Sequence, residues 1–321
     1  MTDILKCWRS YRERLHSLPP VTILKITLKY ASIDAFIPSV KKNNDKNNKI
    51  REAIVSAIIN YEIPPVYYKY SRRWLHLKTI IDTYCRSLAT DGQTYDNIEC
   101  KIKAGRSNNY DFDITLHYPN KKETFKIELK FNAGSIDAAP QFVSPMKPSQ
   151  YLDQSYESYF YEDYLEYIMA KLSLPMPSQE IYLKQIHSEK PACMTEYQNL
   201  YYQGCSRSSQ YTGVPNAISF YIYCKHLTKA SIANFIETTE LKTEKLTKYL
   251  QSSQKDKIYM LYKHNKFIKQ SVNMDDYIIT GVVAEPSKSR YICNTKSGKK
   301  IQILLRWKNG NGIAFPAFQI K

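Results

Sequence analysis

The sequence lacks the features of a membrane-spanning or exported protein. No apolar stretch in its 321 residues approaches the roughly 18 residues that a membrane-spanning helix needs. The first segment, Met1-Thr-Asp-Ile-Leu-Lys-Cys-Trp-Arg, carries charges where a signal peptide would have its apolar stretch. We therefore expect a soluble intracellular protein, in the cytoplasm of a microbe or of a virus-infected host cell, with no membrane partner.

The sequence also lacks the motifs of disulfide scaffolds, zinc sites and phosphate-binding loops. Its seven cysteines are dispersed and form no C-x-x-C pair, so we expect reduced, packing thiols. Its six histidines show no ligand spacing, which argues against a histidine-metal nuclease. Neither G-x-x-x-x-G-K-[ST] nor G-x-G-x-x-G occurs, so Gly310-Asn-Gly312 is interpreted as a hairpin turn.

Acidic residues are scarce relative to basic ones. The chain has 46 Lys and Arg against 30 Asp and Glu, a formal net charge of +16. A surplus of this size in a folded protein points to a polyanionic partner, with nucleic acid the first candidate and an anionic membrane surface the second.

The C-terminal segment from Pro286 contains no acidic residue and holds half of the net charge. Alternating apolar residues predict two strands joined by the turn Lys296-Ser-Gly-Lys-Lys. The basic residues expected to bind DNA are Lys288, Arg290, Lys296, Lys299, Lys300, Arg306 and Lys308. Arg290 and Arg306 are candidates for reading bases in the major groove. The alternative is a solvated edge hairpin whose lysines oppose aggregation.

The order of predicted elements indicates an α/β protein with three regions. Residues 1–95 are mainly helical, residues 96–250 form the core, and residues 251–321 are a β-rich basic region that binds DNA. A helix over residues 50–60 could join the core, and the Asn-rich run 41–51 is expected to be a surface loop. Within the core we predict strands over 98–104, 111–118 and 124–131, a helix over 151–170, an apolar strand over 217–224 that can pair in parallel, and a helix over 229–250.

The second and third strands carry a cluster of charged residues. With a period of two, Asp111 and Asp113 share one face of the second strand, and Glu128 and Lys130 share one face of the third. Pairing of the strands would gather two or three carboxylates and one ammonium group at one end of a sheet. Carboxylates suit Mg²⁺, and a neighbouring lysine could hold or help deprotonate an attacking water. Phosphodiester hydrolysis is the chemistry that this cluster favours.

The arrangement resembles the PD-(D/E)XK nuclease superfamily, the fold of many type II restriction endonucleases. The matching features are an Asp at a strand start, a short hairpin and then Glu128-Leu-Lys130 in an apolar strand. The resemblance implies a restriction-endonuclease-like core, a mixed central sheet flanked by helices, with Asp113 or Asp111 and Glu128 as metal ligands and Lys130 as the catalytic lysine. No proline precedes either aspartate, and Asp113 is preferred because Asp-Ile-Thr-Leu resembles the family's strand.

Members of this superfamily often add a glutamate from the first helix and a polar residue after the second acid. Glu52 could be the additional metal ligand and Gln150 the additional substrate-binding residue. The expected function is thus a sequence-specific endonuclease acting on double-stranded DNA with one or two Mg²⁺ ions, as a homodimer if its site is palindromic. The alternatives are a structure-selective repair or recombination nuclease and a noncatalytic nucleic-acid-binding protein.

Overall fold

A computed structural model describes residues 18–38, 44–103, 108–138, 147–186, 196–206, 208, 210–307 and 313–320. In these residues the α-helices are α1 (Asn44–Ile59), α2 (Pro65–Tyr70), α3 (Arg72–Arg86), α4 (Tyr156–Asp163), α5 (Leu165–Leu172), α6 (Gln179–Ile186), α7 (Glu196–Gly204), α8 (Pro215–Thr238) and α9 (Thr243–Gln254). The strands are β1 (Val21–Ile23), β2 (Ile26–Leu28), β3 (Asn97–Ile102), β4 (Phe112–His117), β5 (Lys122–Phe131), β6 (Lys257–Lys263), β7 (Lys266–Ser271), β8 (Ile279–Glu285), β9 (Arg290–Thr295), β10 (Lys300–Trp307) and β11 (Pro316–Ile320). No helix within these ranges is long and apolar enough to cross a membrane.

The chain forms two compact units, each built from two separated stretches. The first unit comprises Met1–Ala139 and Lys255–Val272, and the second comprises Pro140–Gln254 and Asn273–Lys321. The predicted boundaries at residues 95 and 250 do not coincide with the ends of these stretches. In particular, β6 and β7, which fall in the predicted region 251–321, belong to the sheet of the first unit.

The first unit contains a mixed five-stranded sheet in the order β3-β4-β5-β6-β7. Strands β5 and β6 are parallel, and the other neighbours are antiparallel. The predicted α/β class and mixed sheet are therefore confirmed. Alternation drives one face into the core, because Phe112, Ile114 and Leu116 of β4 are fully buried while the residues between them are not.

Helices α1 and α3 cover this apolar face. Helix α1 contributes a run of buried residues from Ala53 to Ile59, and α3 contributes Trp74, Leu77 and Ile81 at helical spacing. The start of α3 is fixed by Ser71, whose hydroxyl accepts a hydrogen bond from the backbone N–H of Trp74. The predicted helix over 50–60 is confirmed. The expected loop over 41–51 is wrong from Asn44 onward, because this Asn-rich run forms the first turns of α1.

The second unit packs helices on one face of an antiparallel sheet, in the order β11-β10-β9-β8. Its centre is aromatic: the indole N–H of Trp307 donates to the hydroxyl of Tyr156 at 2.8 Å, and that hydroxyl lies 2.8 Å from the hydroxyl of Ser231. The predicted hairpin of β9 and β10 is confirmed. The predicted helix over 151–170 is present as two helices, α4 and α5.

The predicted strand over 217–224 is wrong, because these residues lie within α8. The buried positions of α8 recur at helical spacing, at Ala217, Phe220, Cys224 and Thr228, and Pro215 stands in its first turn. The strand that pairs in parallel with β5 is instead β6. The predicted turn at 310–312 lies outside the described residues.

Candidate active site

The pairing of β4 with β5 places Asp111 beside Glu128. The register of β4 with β5 begins at Phe112 and Ile127, and Asp111 is the residue directly before β4, within the electrostatic field of Glu128. The backbone N–H of Asp111 donates to the carbonyl of Ile127 at 2.9 Å, and its Oδ2 accepts from the backbone N–H of Leu129 at 2.8 Å. The first bond fixes the backbone of Asp111 beside β5, and the second holds its carboxyl against the backbone of Leu129.

Two lysines bind the two oxygens of Glu128. Lys130 lies two residues along β5, and its Nζ is 2.5 Å from Oε1. Lys257 is the first residue of β6, and its Nζ is 3.3 Å from Oε2. The side chains of Glu128 and Lys257 are 14% and 6% exposed. Glu128 is therefore a mostly buried carboxylate held between two ammonium groups, on the sheet face opposite the main core.

The charges and burial within the cluster shift the pKa values of its carboxyl groups in opposite directions. Burial works to raise the pKa of Glu128, but Lys130 and Lys257 outweigh it and hold that pKa below its usual value. Burial raises the pKa of Asp111, and the negative charge of Glu128 raises it further. Glu128 is thus the ionised member of the pair, and Asp111 holds its proton more tightly than an ordinary aspartate.

Glu52 of α1 is the third carboxyl group of the cluster. Burial raises its pKa to about 8, and the charges of Asp111 and Glu128 add to the effect, while Lys49 and Lys130 oppose it. The dependence on Asp111 and Glu128 shows that α1 brings Glu52 into the electrostatic field of both. At neutral pH Glu52 is mostly protonated and adds little negative charge.

The structure separates the two candidate aspartates. Asp113 lies opposite Lys101 on β3 and Lys126 on β5, and its Oδ2 is 3.1 Å from Nζ of Lys103. It lies on the same sheet face as Glu128 but pairs with Lys126, two positions from Glu128 along β5. The geometry thus brings Asp111, rather than the preferred Asp113, against Glu128.

The cluster fits a Mg²⁺ ion held by two carboxylates. Asp111 and Glu128 are hard oxygen donors, and Mg²⁺ commonly binds one or two carboxylates and retains several waters. Burial raises the pKa of Asp111 and the negative charge of Glu128 adds to the effect, so a cation beside the pair would favour the ionised form of Asp111. In the part of the chain that the structure describes, no three His, Cys, Asp or Glu side chains gather at metal-ligand spacing. Glu52 as an additional ligand stays a prediction.

The predicted DNA-binding residues lie in the second unit, where several form ion pairs with acids just before Pro286. Lys288 and Arg290 pair with Glu285 at 3.6 and 2.6 Å. Lys296 pairs with Asp275 at 3.3 Å and Lys299 with Asp276 at 2.7 Å. The acid-free window in the sequence is therefore not an acid-free surface, because these carboxylates come from the segment that immediately precedes it.

The remaining predicted substrate-binding residues have varied environments. Lys300 is exposed at the start of β10, and burial lowers the pKa of Arg306. Gln150 is an exposed residue of the second unit, at the end of a 3₁₀ turn (Pro148–Gln150). Lys308 lies outside the described residues. DNA contact by these residues stays a prediction.

Lys257 is the site residue that the sequence analysis missed. Its signal is a basic residue directly before the apolar strand Ile258-Tyr-Met-Leu-Tyr. The apolar run 217–224 predicts a different parallel partner for β5, so the sequence alone does not bring Lys257 to Glu128. Neither the protein-family models nor the curated proteins compared with this sequence give a match.

Proposed function

We propose that this chain is a Mg²⁺-dependent endonuclease that hydrolyses phosphodiester bonds in double-stranded DNA at a specific sequence. The observation that carries the proposal is the proximity of Asp111, held directly before β4 against the backbone of Leu129, to Glu128 of β5, with Lys130 two residues farther along β5. Two hard oxygen donors beside a lysine are the groups that metal-assisted hydrolysis of a phosphodiester needs.

The surrounding elements support a restriction-endonuclease-like core. Helix α1 precedes three antiparallel strands, β3, β4 and β5, and a fourth strand, β6, returns parallel to β5. This is the helix, hairpin and parallel-strand order that the resemblance to the PD-(D/E)XK superfamily implies. The Asp at the strand start would then be Asp111, which stands directly before β4.

The residues of the cluster have distinct roles in the proposed reaction. A Mg²⁺ ion held by Asp111 and Glu128 would stabilise the negative charge that develops on the attacked phosphoryl group. Lys130 lies beside the carboxylates, and its ammonium group would orient the attacking water and stabilise the hydroxide that forms as the proton passes to solvent. Glu52, mostly protonated at neutral pH, limits the negative charge that an anionic substrate meets.

Lysines on the same sheet face support a phosphate-rich substrate. Lys101 and Lys126 lie on either side of Asp113 across the sheet, and both are exposed. Lys103 lies nearby on the segment that follows β3 and pairs with Asp113. A backbone of phosphates approaching Glu128 from this side would meet positive charge on β3 and β5.

A noncatalytic nucleic-acid-binding protein is the second candidate, and one observation favours it. Lys130 and Lys257 already neutralise Glu128 without any metal ion. In that case DNA binding would fall with salt concentration and would not depend on Mg²⁺. A structure-selective nuclease would use the same cluster and differ only in its substrate.

Cleavage of a large phage DNA and of branched DNA, with Mg²⁺ or with EDTA, tests the proposal. We expect discrete Mg²⁺-dependent fragments, and a loss of about 10²-fold or more in rate for Glu128→Gln and Asp111→Asn, since each removes a charged group from the reacting centre. Asp113→Asn is the matched control and should keep its rate within a few fold. Unchanged cleavage by Glu128→Gln, or no cleavage of either substrate, would contradict the proposal.

A further inference from the structure

Glu128 has both of its oxygens engaged by lysines. Oε1 contacts Lys130 and Oε2 contacts Lys257, at 2.5 and 3.3 Å. A carboxylate that also binds a divalent ion must share these oxygens or give one of them up. The two lysines therefore stand where they compete with a cation for Glu128.

The charges of the cluster balance without a metal ion. Asp111 and Glu128, when both ionised, contribute two negative charges, and Lys130 and Lys257 contribute two positive ones. A divalent ion would bring the total to two positive charges in a mostly buried place. Since like charges within a few ångströms repel strongly where water is excluded, each lysine lowers the affinity of this place for a divalent ion.

The two lysines differ in how easily a cation can displace their ammonium groups from Glu128. The side chain of Lys130 is 21% exposed, so its ammonium group can turn toward water. The side chain of Lys257 is only 6% exposed, and its Nζ lies 5.7 Å from the ring centroid of Tyr259. Lys257 is thus the fixed partner of Glu128, and Lys130 is the one that can be displaced.

We propose that Lys257 is a built-in counter-ion that holds Glu128 in place without metal and weakens the binding of divalent cations at this cluster. The inference rests on the proposed function, because it takes Asp111 and Glu128 as the metal-binding pair. It assigns to Lys257 a positioning role, and it predicts that the residue sets the Mg²⁺ concentration at which the cluster fills.

Calorimetric titration of the chelator-treated full chain with Mg²⁺ alone, and separately with Ca²⁺ alone, tests this role. Lys257→Met removes the charge and keeps a side chain of similar length, so we expect a Kd about tenfold lower than that of the wild type. Lys257→Arg keeps the charge and should bind within about threefold of the wild type. Lys78→Met is the matched control: it removes a lysine paired with Asp82 on α3 and should leave the Kd unchanged.

The outcomes separate this inference from the proposed function. A folded Lys257→Met protein whose Kd equals or exceeds that of the wild type would overturn the role of Lys257 alone. Absence of divalent binding in both proteins would overturn the proposed function and this inference together. Loss of binding in Glu128→Gln is the expected check that the measured ion occupies the cluster.

A measurement on the wild type covers the case in which Lys257→Met does not fold. In nitrogen-detected NMR of lysine ammonium groups, addition of Ca²⁺ should shift the Lys257 signal and leave that of Lys78 in place. A Lys257 signal that stays unchanged while Ca²⁺ binds would overturn the inference.

Discussion

Glu52, Asp111 and Glu128 are chemically similar, yet their neighbours give them different charge states. Glu128 has two ammonium groups in contact and stays ionised. Asp111 has the charge of Glu128 beside it and a backbone N–H from Leu129, and burial prevails in raising its pKa. Glu52 receives no comparable compensation. Local contacts, and not residue type, therefore decide which carboxyl group carries a charge at neutral pH.

The raised pKa of Glu52 makes stability depend on pH. Its pKa is about 8 in the folded protein and near 4.5 in the unfolded chain. Between these pH values Glu52 keeps its proton in the folded protein and has lost it in the unfolded chain. The contribution of Glu52 to the free energy of unfolding therefore falls as pH rises, by up to about 1.4 kcal/mol per pH unit. Glu52→Gln removes this loss. Urea unfolding at pH 5, 6.5 and 8 should show that the free energy of unfolding of the variant, relative to that of the wild type, increases as pH rises.

The control for this prediction is Glu237→Gln, which changes an exposed glutamate of α8. Its free energy of unfolding relative to the wild type should stay level over the same range. A level difference for Glu52→Gln as well would mean that Glu52 is ionised in the folded protein.

Because the period of a strand is two, the sequence was sufficient to predict that Asp111 and Asp113 share one face of their strand and that Glu128 and Lys130 share one face of theirs. It could not choose between the aspartates, since both satisfy the same alternation. The choice depends on register: Phe112 pairs with Ile127, which is a property of the hairpin and its turn. The contact of Lys257 with Glu128 could not be predicted for a different reason. It spans 129 positions of sequence and requires the pairing of β6 with β5.

At the scale of elements, hydrophobic periodicity predicted β3, β4 and β5 well and failed at α8. Strands β4 and β5 alternate and flank a short turn, which is a local signal. The start of α8, Ala-Ile-Ser-Phe-Tyr-Ile-Tyr-Cys, is a short apolar run rich in β-branched and aromatic residues, and such a run fits either a buried strand or a buried helix. Burial of both Cys224 and Thr228 shows that packing over a longer stretch decided for the helix.

The side chain of Asn60, directly after α1, makes two hydrogen bonds to the edge strand β3. Asn60 donates from Nδ2 to the carbonyl of Cys100 at 3.0 Å and accepts at Oδ1 from its N–H at 2.8 Å. Cys100 is 3% exposed, so water cannot replace these bonds. The hydroxyl of Ser56 also donates to the carbonyl of Cys100, at 3.4 Å. We expect Asn60→Ala to lower the free energy of unfolding by about 2 kcal/mol, since it leaves the buried N–H of Cys100 without a partner from α1.

Urea unfolding measures this loss as a shift of the midpoint at constant m value. Asn120→Ala, in the exposed turn between β4 and β5, is the matched control and should change stability by less than about 0.5 kcal/mol. A comparably small effect of Asn60→Ala would show that β3 does not depend on this contact.

At the scale of the whole molecule, the chain crosses between the units three times, at residues 139, 254 and 272. Consecutive regions of sequence cannot represent such an arrangement. The predicted region 251–321 therefore includes β6, although this strand belongs to the sheet of the first unit. The same division made the last 36 residues look uniformly basic, although Asp275, Asp276 and Glu285 pair with their lysines and arginine. The net charge of the chain still favours a polyanionic partner, but these ion pairs reduce the unpaired positive charge that the second unit can offer to one.

The interlaced arrangement predicts how the chain responds to shortening. A chain ending at Leu250 loses β6, which pairs with both β5 and β7 and supplies Met260 and Tyr262 to the main core. A chain ending at Val272 keeps all five strands of that sheet and loses only β8 to β11. Because a sheet cannot lose a central strand and keep its core packed, we expect the shorter chain to leave the amides of β4 and β5 unprotected against hydrogen exchange, and the longer chain to protect them. Protected amides at Ile114 and Ile127 in the chain ending at Leu250 would show instead that the antiparallel strands and α1 fold without β6.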